Sequence, residues 1–239
     1  MPLTRSSKIK WAAFLTVDVL LGAVVLFLFL VRSERDEQLA LRELGTSIYP
    51  VANQIQPFEL TTHDQQTFTE QDLLGQWSLI FYGFSNCPNV CPMSMAELDK
   101  FYTQLVEENA EEIPQVIMAT VDPDRDTPAE MTSYVTGFNP AFTGLTGEIA
   151  ELENLASQLY VVISSDLAEG EMENEIEGEM QGEEHAGHTG MASAEAPEGT
   201  FNHSGHISVI NPEGQLYAVM RLPHLDQQIM GSYKMLLDR

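Results

Sequence analysis

The sequence predicts an α/β domain behind a single N-terminal transmembrane helix and interrupted by a disordered acidic insertion. Three observations predict it. Residues 11–31 form an apolar run whose only charge is Asp18. Beyond residue 57, short branched and aromatic runs alternate with stretches of helical period. Between Asp166 and Glu198 stand eleven acids and no Lys or Arg. A chain of 239 residues has room for one anchor and one ordinary domain, and 44% hydrophobic residues allow that domain a real core.

The anchor, residues 11–31, is long enough to cross roughly 30 Å of hydrocarbon. Asp18 opposes insertion by about 2.5–3.5 kcal/mol, while fourteen Leu, Val and Phe residues favour it by roughly 4–8 kcal/mol in all, so the span inserts. The following Arg-Ser-Glu-Arg-Asp-Glu offers no small-x-small cleavage site, which argues for an uncleaved anchor over a signal peptide. The expected order is a cytoplasmic tail over 1–10, the span, a linker over 32–52 with a short amphipathic helix ending near Gly45, and an exported domain over 53–239. Residues 165–200 are the flexible insertion, too acidic and too poor in apolar groups to offset their ordering entropy.

Charge narrows the partners. The formal net charge is -25, and residues beyond 42 hold 5 bases against 32 acids. Binding to nucleic acid backbones depends on Lys and Arg replacing counterions, so nucleic acid is excluded. Basic proteins or cations remain. The two cysteines are too few for a disulfide scaffold and matter, if at all, as one reactive or metal-binding pair.

Within the domain, Pro57–Leu60 and Gln66–Thr69 read as short strands around a turn at His63-Asp64. The run Trp77–Phe84 reads as a strand covered on both faces. The spacing of Met95, Leu98, Phe101, Tyr102 and Leu105 predicts a helix from Ser94 to about Glu108. Gln115–Val121 is a second buried strand, with Pro128 opening a helix to about Gly137 that Asp126 or Thr127 caps. A turn, a helix over 147–158 and a strand over Leu159–Ser164 follow. Beyond the insertion come a hairpin of Ile207–Asn211 and Leu216–Arg221 and a last helix from Leu225.

The chemistry concentrates in Phe81-Tyr-Gly-Phe-Ser-Asn-Cys87-Pro-Asn-Val-Cys91-Pro92, a buried strand delivering two thiols to a helix start. Amides and dipole at a helix N-terminus favour thiolate over thiol. Separation by four residues puts the sulfurs on one side of the turn, near enough for a disulfide or for one ion held between them. A soft metal on two thiolates wants a third donor, and imidazole suits it. Of six histidines, His63 and His224 fall in turns and read as solvated. His185 and His188, spaced i, i+3 in the insertion, are possible auxiliary metal ligands. With a strand starting near Gly205, His206 points into the sheet or its cover while His203 sits at the strand mouth.

Three ordered motifs carry a family resemblance. Cys87-Pro-x-x-Cys91-Pro, Val121-Asp122-Pro-Asp-Arg-Asp-Thr-Pro128, and His203-Ser followed by Pro212-x-Gly214 resemble the Sco/SenC family of membrane-anchored, thioredoxin-like copper proteins. The resemblance implies a thioredoxin-like fold with copper, Cu(I) or Cu(II), as its metal. It implies Cys87 and Cys91 as thiolate ligands, His203 as imidazole ligand and Asp122 as an acid tuning binding or partner transfer. It further implies delivery of copper to, or reduction of, the dinuclear copper centre in subunit II of cytochrome c oxidase or a similar copper acceptor. Loading with Cu(I) requires reduced cysteines, hence a thiol reductant. The expected location is a bacterial inner membrane, single-pass, with the domain in the periplasm. Asn202 stands where the family often has an aspartate, and the insertion is longer than in the simplest members. The rival reading is a thiol-disulfide oxidoreductase or peroxide-reducing enzyme with Cys87 attacking and Cys91 resolving; such enzymes carry a cis-proline before the facing strand, where this chain has Ser204-Gly205.

Overall fold

The computed structural model describes residues 34–165 and 201–239, with isolated positions 21, 22, 24 and 32 before them. Most of the expected anchor and all of residues 166–200, His185 and His188 included, lie outside the described residues. Among the described residues no helix is long and apolar enough to cross a membrane. Two compact units divide after Leu44. The first contains a helix over residues 34–43, here α1.

The second unit, Gly45–Arg239, is built on a mixed sheet of eight strands. In chain order these are β1 (Thr46–Gln54), β2 (Glu59–Thr62), β3 (Thr67–Thr69), β4 (Ser78–Gly83), β5 (Gln115–Thr120), β6 (Thr143–Thr146), β9 (Ile207–Ile210) and β10 (Gln215–Met220). They lie side by side in the order β1-β10-β9-β4-β5-β6-β2-β3. β4, β5 and β6 run parallel, whereas β9 lies antiparallel to β4 with Ile207 opposite Phe81. Every residue of β4 is buried, as a central strand covered on both faces requires.

Four helices complete the unit: α2 (Val90–Glu107), α3 (Pro128–Phe138), α4 (Ile149–Gln158) and α5 (Asp226–Leu237). The parallel strands need crossovers, which α2 and α3 supply. Alternation along β4 sends side chains to opposite faces. Phe81 meets the His224 ring edge-on at 5.9 Å between centroids on the α2–α5 side. Tyr82 donates its hydroxyl to the Leu152 carbonyl of α4 at 3.0 Å on the other side. Helix α5 is tied to α2 by the Phe101–Tyr233 ring pair at 5.5 Å and by Lys234–Glu108 at 2.8 Å.

Several boundaries differ from the sequence reading. β1 occupies residues assigned to the linker; Pro50, half-exposed side chains and a register shift between Ile48 and Asn53 hide this edge strand. β6 was read as a turn because it is short and contains Gly144, yet a Cβ there would lie 3.0 Å from Met131 Cε, so the glycine is what lets α3 sit on the strand. The strand expected over Leu159–Ser164 shrinks to β7 (Ile163–Ser165) and leaves the main sheet to pair with β8 (Phe201–His203). Leu159 and Tyr160 instead form the turn closing α4, Tyr160 at φ 55°.

His224 makes the fold sensitive to acid. Its Nδ1 pairs with Ser94 Oγ at 2.8 Å, and burial pulls its pKa from 6.5 down to about 4. Such a group contributes its full stability above pH 6.5, and that contribution is lost as pH falls toward 4, about 3 kcal/mol in all. Urea unfolding of the chain from pH 7.5 to 4 shows this loss, and His224→Gln flattens that part of the profile; a slope unchanged by the substitution refutes the assignment.

Candidate metal centre

The site lies where β4 ends. Gly83 closes the strand, and a Cβ on it would stand 3.0 Å from Cys91 Sγ and 2.9 Å from the Phe81 ring. A bare backbone therefore lets the second sulfur pack against the strand end. Cys87 N–H donates to the Phe84 carbonyl at 3.1 Å, folding the intervening loop into a turn. Helix α2 begins at Val90, a turn earlier than apolar spacing predicts, because the first turn carries Cys91 and Pro92 in place of periodic apolar residues. Pro92 fits there because amides of a first turn need no partner inside the helix.

Asn89 precedes α2 without a capping bond from its side chain. The Cys87 sulfur takes that place, accepting the Cys91 amide at 3.4 Å. Burial alone raises the Cys87 pKa; the Cys91 thiol, donating to the Cys87 sulfur, and the amides of Asn89, Cys91 and Val90 outweigh it, so the group ends below the ordinary thiol value. Cys91 is displaced strongly upward, first by burial, then by its bond to Cys87. Both cysteines are free thiols, Cys87 half-buried and Cys91 fully buried. The pair is one half-buried sulfur with a lowered pKa and one buried thiol with a raised one behind it.

The segment after β5 braces this loop. Asp126, 1% exposed, accepts Ser85 N–H at 3.1 Å and the Thr120 hydroxyl at 2.5 Å. It also accepts the Ser85 hydroxyl. Thr120 in turn accepts the Asp122 amide at 2.9 Å. Helix capping falls to Thr127 alone, whose hydroxyl accepts Glu130 N–H at 3.4 Å. Asp122 is buried and ion-paired to Arg125 Nε at 2.5 Å. Asp126, whose charge acts on Cys91, braces the loop, while of the two capping candidates, Asp126 or Thr127, it is Thr127 that caps the helix. The signal for that brace was available: Thr120 ends β5 and Ser85 lies two residues beyond the end of β4, the neighbouring strand.

The histidines sort differently from expectation. His203 closes β8, its backbone opposite Ile163, and Ser204 N–H continues the pairing to the Val162 carbonyl at 3.1 Å. Three residues separate it from Ile207, the residue of β9 opposite Phe81. His206 precedes β9, half-buried, its Nε2 3.2 Å from the Leu159 carbonyl. Burial lowers its pKa. The solvated reading of His63 and His224 is corrected: His63 Nδ1 accepts the Gly144 amide at 3.1 Å with its side chain 9% exposed, and His224 is 5% exposed. Both turns fold back onto the domain, and each ring meets a hydrogen-bond partner there. Among the described residues no group of three His, Cys, Asp or Glu side chains is close enough to hold a metal; the dithiol supplies two donors.

This is a thioredoxin-like domain whose dithiol starts the helix after a central strand. A match to SCO1/SenC covers residues 49–192, and the chain belongs to that family. The human mitochondrial SCO1 homolog is 34% identical over 168 residues, 67% of this chain and 54% of its own. The chain thus spans about half the length of that relative. Among solved structures, yeast Sco1 superposes with a TM-score of 0.60 at 26% identity, covering 77% of this chain and 96% of its own. Yeast Sco1 with copper bound gives 0.58 at 26% identity, covering 77% and 87%.

Two outcomes follow. Iodoacetamide near pH 7.5 labels Cys87 at least tenfold faster than Cys91, read by peptide mass mapping; equal rates contradict the sulfur asymmetry. Asp126→Asn leaves an acceptor set short of its donors and costs about 2 kcal/mol in urea unfolding, whereas loss under 0.5 kcal/mol shows that the carboxylate does not brace the loop.

Proposed function

We propose that this protein is a copper metallochaperone, and that Cys87, Cys91 and His203 hold the cargo ion. The observation that supports the reading is a pair of free cysteines at the start of α2, the Cys87 sulfur accepting the Cys91 amide at 3.4 Å. Thiolate and imidazole donors suit Cu(I). The donor set also fits the job of release. Two thiolates and a neutral imidazole leave Cu(I) with three donors and a net charge near -1, open to an incoming sulfur from an acceptor. The half-buried Cys87 is the sulfur an acceptor meets, and buried Cys91 the one that holds on.

The acceptor we assign, from the family to which the chain belongs, is the dinuclear copper centre in subunit II of cytochrome c oxidase, served by delivery of copper or by reduction of its cysteines. A thiol reductant keeps Cys87 and Cys91 from closing as a disulfide, which would present no thiolate. Residues 11–31 anchor the protein in a bacterial inner membrane with the domain in the periplasm. Asp122 sits in the same brace as Asp126 and acts on binding or transfer through the loop. The alternative, thiol-disulfide exchange, uses the same sulfurs with Cys87 attacking; it is disfavoured because Ser204-Gly205-His206 before β9 contains no proline.

Anaerobic titration of the reduced full chain with Cu(I) against a chromophoric chelator tests the proposal. The expected result is one tightly held ion per chain, abolished by Cys87→Ser or Cys91→Ser and weakened roughly 10- to 100-fold by His203→Ala. Copper affinity untouched by His203→Ala, together with rapid dithiol turnover on a disulfide substrate, favours the oxidoreductase.

A further inference from the structure

The segment that leads from His203 into β9 is met from two sides. Toward α4 and β7 the contacts are polar. Ser204 N–H donates to the Val162 carbonyl at 3.1 Å, Val162 N–H donates to the Ser204 hydroxyl at 3.1 Å, and His206 Nε2 stands 3.2 Å from the Leu159 carbonyl. The other contact is apolar. Leu222 lies so close over Gly205 that a Cβ on the glycine would stand 2.8 Å from Leu222 Cδ1 and 3.6 Å from its Cγ. Among the described residues, chain neighbours aside, no other group comes within 4 Å of that position. A bare backbone at 205 is what admits the leucine.

Leu222 belongs to the loop between β10 and α5, and half of its surface, 50%, stays in water. The loop is fixed to α2 at two points. His224 Nδ1 pairs with Ser94 Oγ at 2.8 Å, and Asp226 N–H donates to Glu97 Oε2 at 2.9 Å. Ser94 stands three residues beyond Cys91, one turn along on the same helix face. A continuous path of contacts therefore runs from Cys91 along α2, across the Ser94–His224 bond, through Leu222 to Gly205, two residues from His203. The path joins two parts of the molecule that the main sheet does not join, since β8, which ends in His203, pairs with β7 outside that sheet.

We propose that Leu222 is a positioning residue of the copper site: its contact on Gly205 fixes the segment bearing His203 relative to the helix bearing the cysteines. This rests on the copper reading above, with His203 as the imidazole ligand. Leu222 acts through the backbone of residues 203–206. By narrowing where that backbone can lie, it leaves less ordering entropy for the incoming ion to offset. Ligand sets hold a metal tightly when packing around them keeps each donor near its bonding position.

Leu222→Ala in the full chain tests this, beside Leu222→Met. Anaerobic titration with Cu(I) against a chromophoric chelator shows affinity about tenfold lower for Leu222→Ala and within about twofold of the unsubstituted chain for Leu222→Met, which refills the space. Because the leucine is half exposed, the metal-free melting temperature of either variant moves by no more than about 4 °C. In a His203→Ala background Leu222→Ala costs no further affinity, since the leucine acts through the imidazole. X-ray absorption of Cu(I)-loaded Leu222→Ala shows both sulfurs kept and the imidazole signal weakened. Affinity within about twofold of the unsubstituted chain in Leu222→Ala overturns the inference alone. So do losses that add in the double variant, or a melting temperature that falls with affinity unchanged, either of which marks a leucine that supports the domain in general. If His203→Ala itself leaves affinity unchanged, the imidazole assignment fails and this inference with it.

Discussion

The contact between the Cys87 sulfur and the first amides of α2 is the constraint from which the site is built. A helix start leaves backbone N–H groups in need of acceptors, and here no side-chain oxygen answers. Sulfur answers, with the Cys91 amide at 3.4 Å. Capping a helix and stabilising a thiolate are thereby one interaction. Gly83 is required because the second sulfur then has to lie against the strand end, 3.0 Å from where a Cβ would be. Asp126 is required because the turn between strand and helix has no regular pairing of its own and is held through Ser85.

The same arrangement separates the sulfurs by role. Amides act on Cys87, whereas burial dominates at Cys91. A symmetric dithiol would hold or release an ion equally through both sulfurs. On the proposed reading, an asymmetric one meets an incoming thiolate with its half-buried sulfur and keeps its buried partner until last. Asp126 and Cys91 are the buried members of the site, and Cys87 is half-buried.

Much of this was legible in the residues. The central strands were readable because burial on both faces leaves continuous apolar runs, as in Leu79-Ile-Phe-Tyr82. The cysteine pair was readable because strand, proline and helix signals meet there. Edge elements were not. β1 and β6 carry Pro50 and Gly144 where strand propensity asks for branched or aromatic residues, and tertiary packing, such as Met131 over Gly144, decides their structure. The start of α2 was misplaced because its first turn is selected for sulfur chemistry, not for amphipathic period. His224 was misread because its burial comes from contacts 130 residues away, with Ser94, which no local window contains. The bracing role of Asp126 was missed for the same reason: its partners, Ser85 and Thr120, are on two other segments.

X-ray absorption at the copper edge of the Cu(I)-loaded full chain tests the central claim most directly. Convergence of Cys87, Cys91 and His203 on one ion predicts two sulfur scatterers and one nitrogen of imidazole type, at roughly 2.0–2.3 Å, with the imidazole signal gone from His203→Ala. A first shell of sulfur alone, or an imidazole signal that survives that substitution, contradicts it.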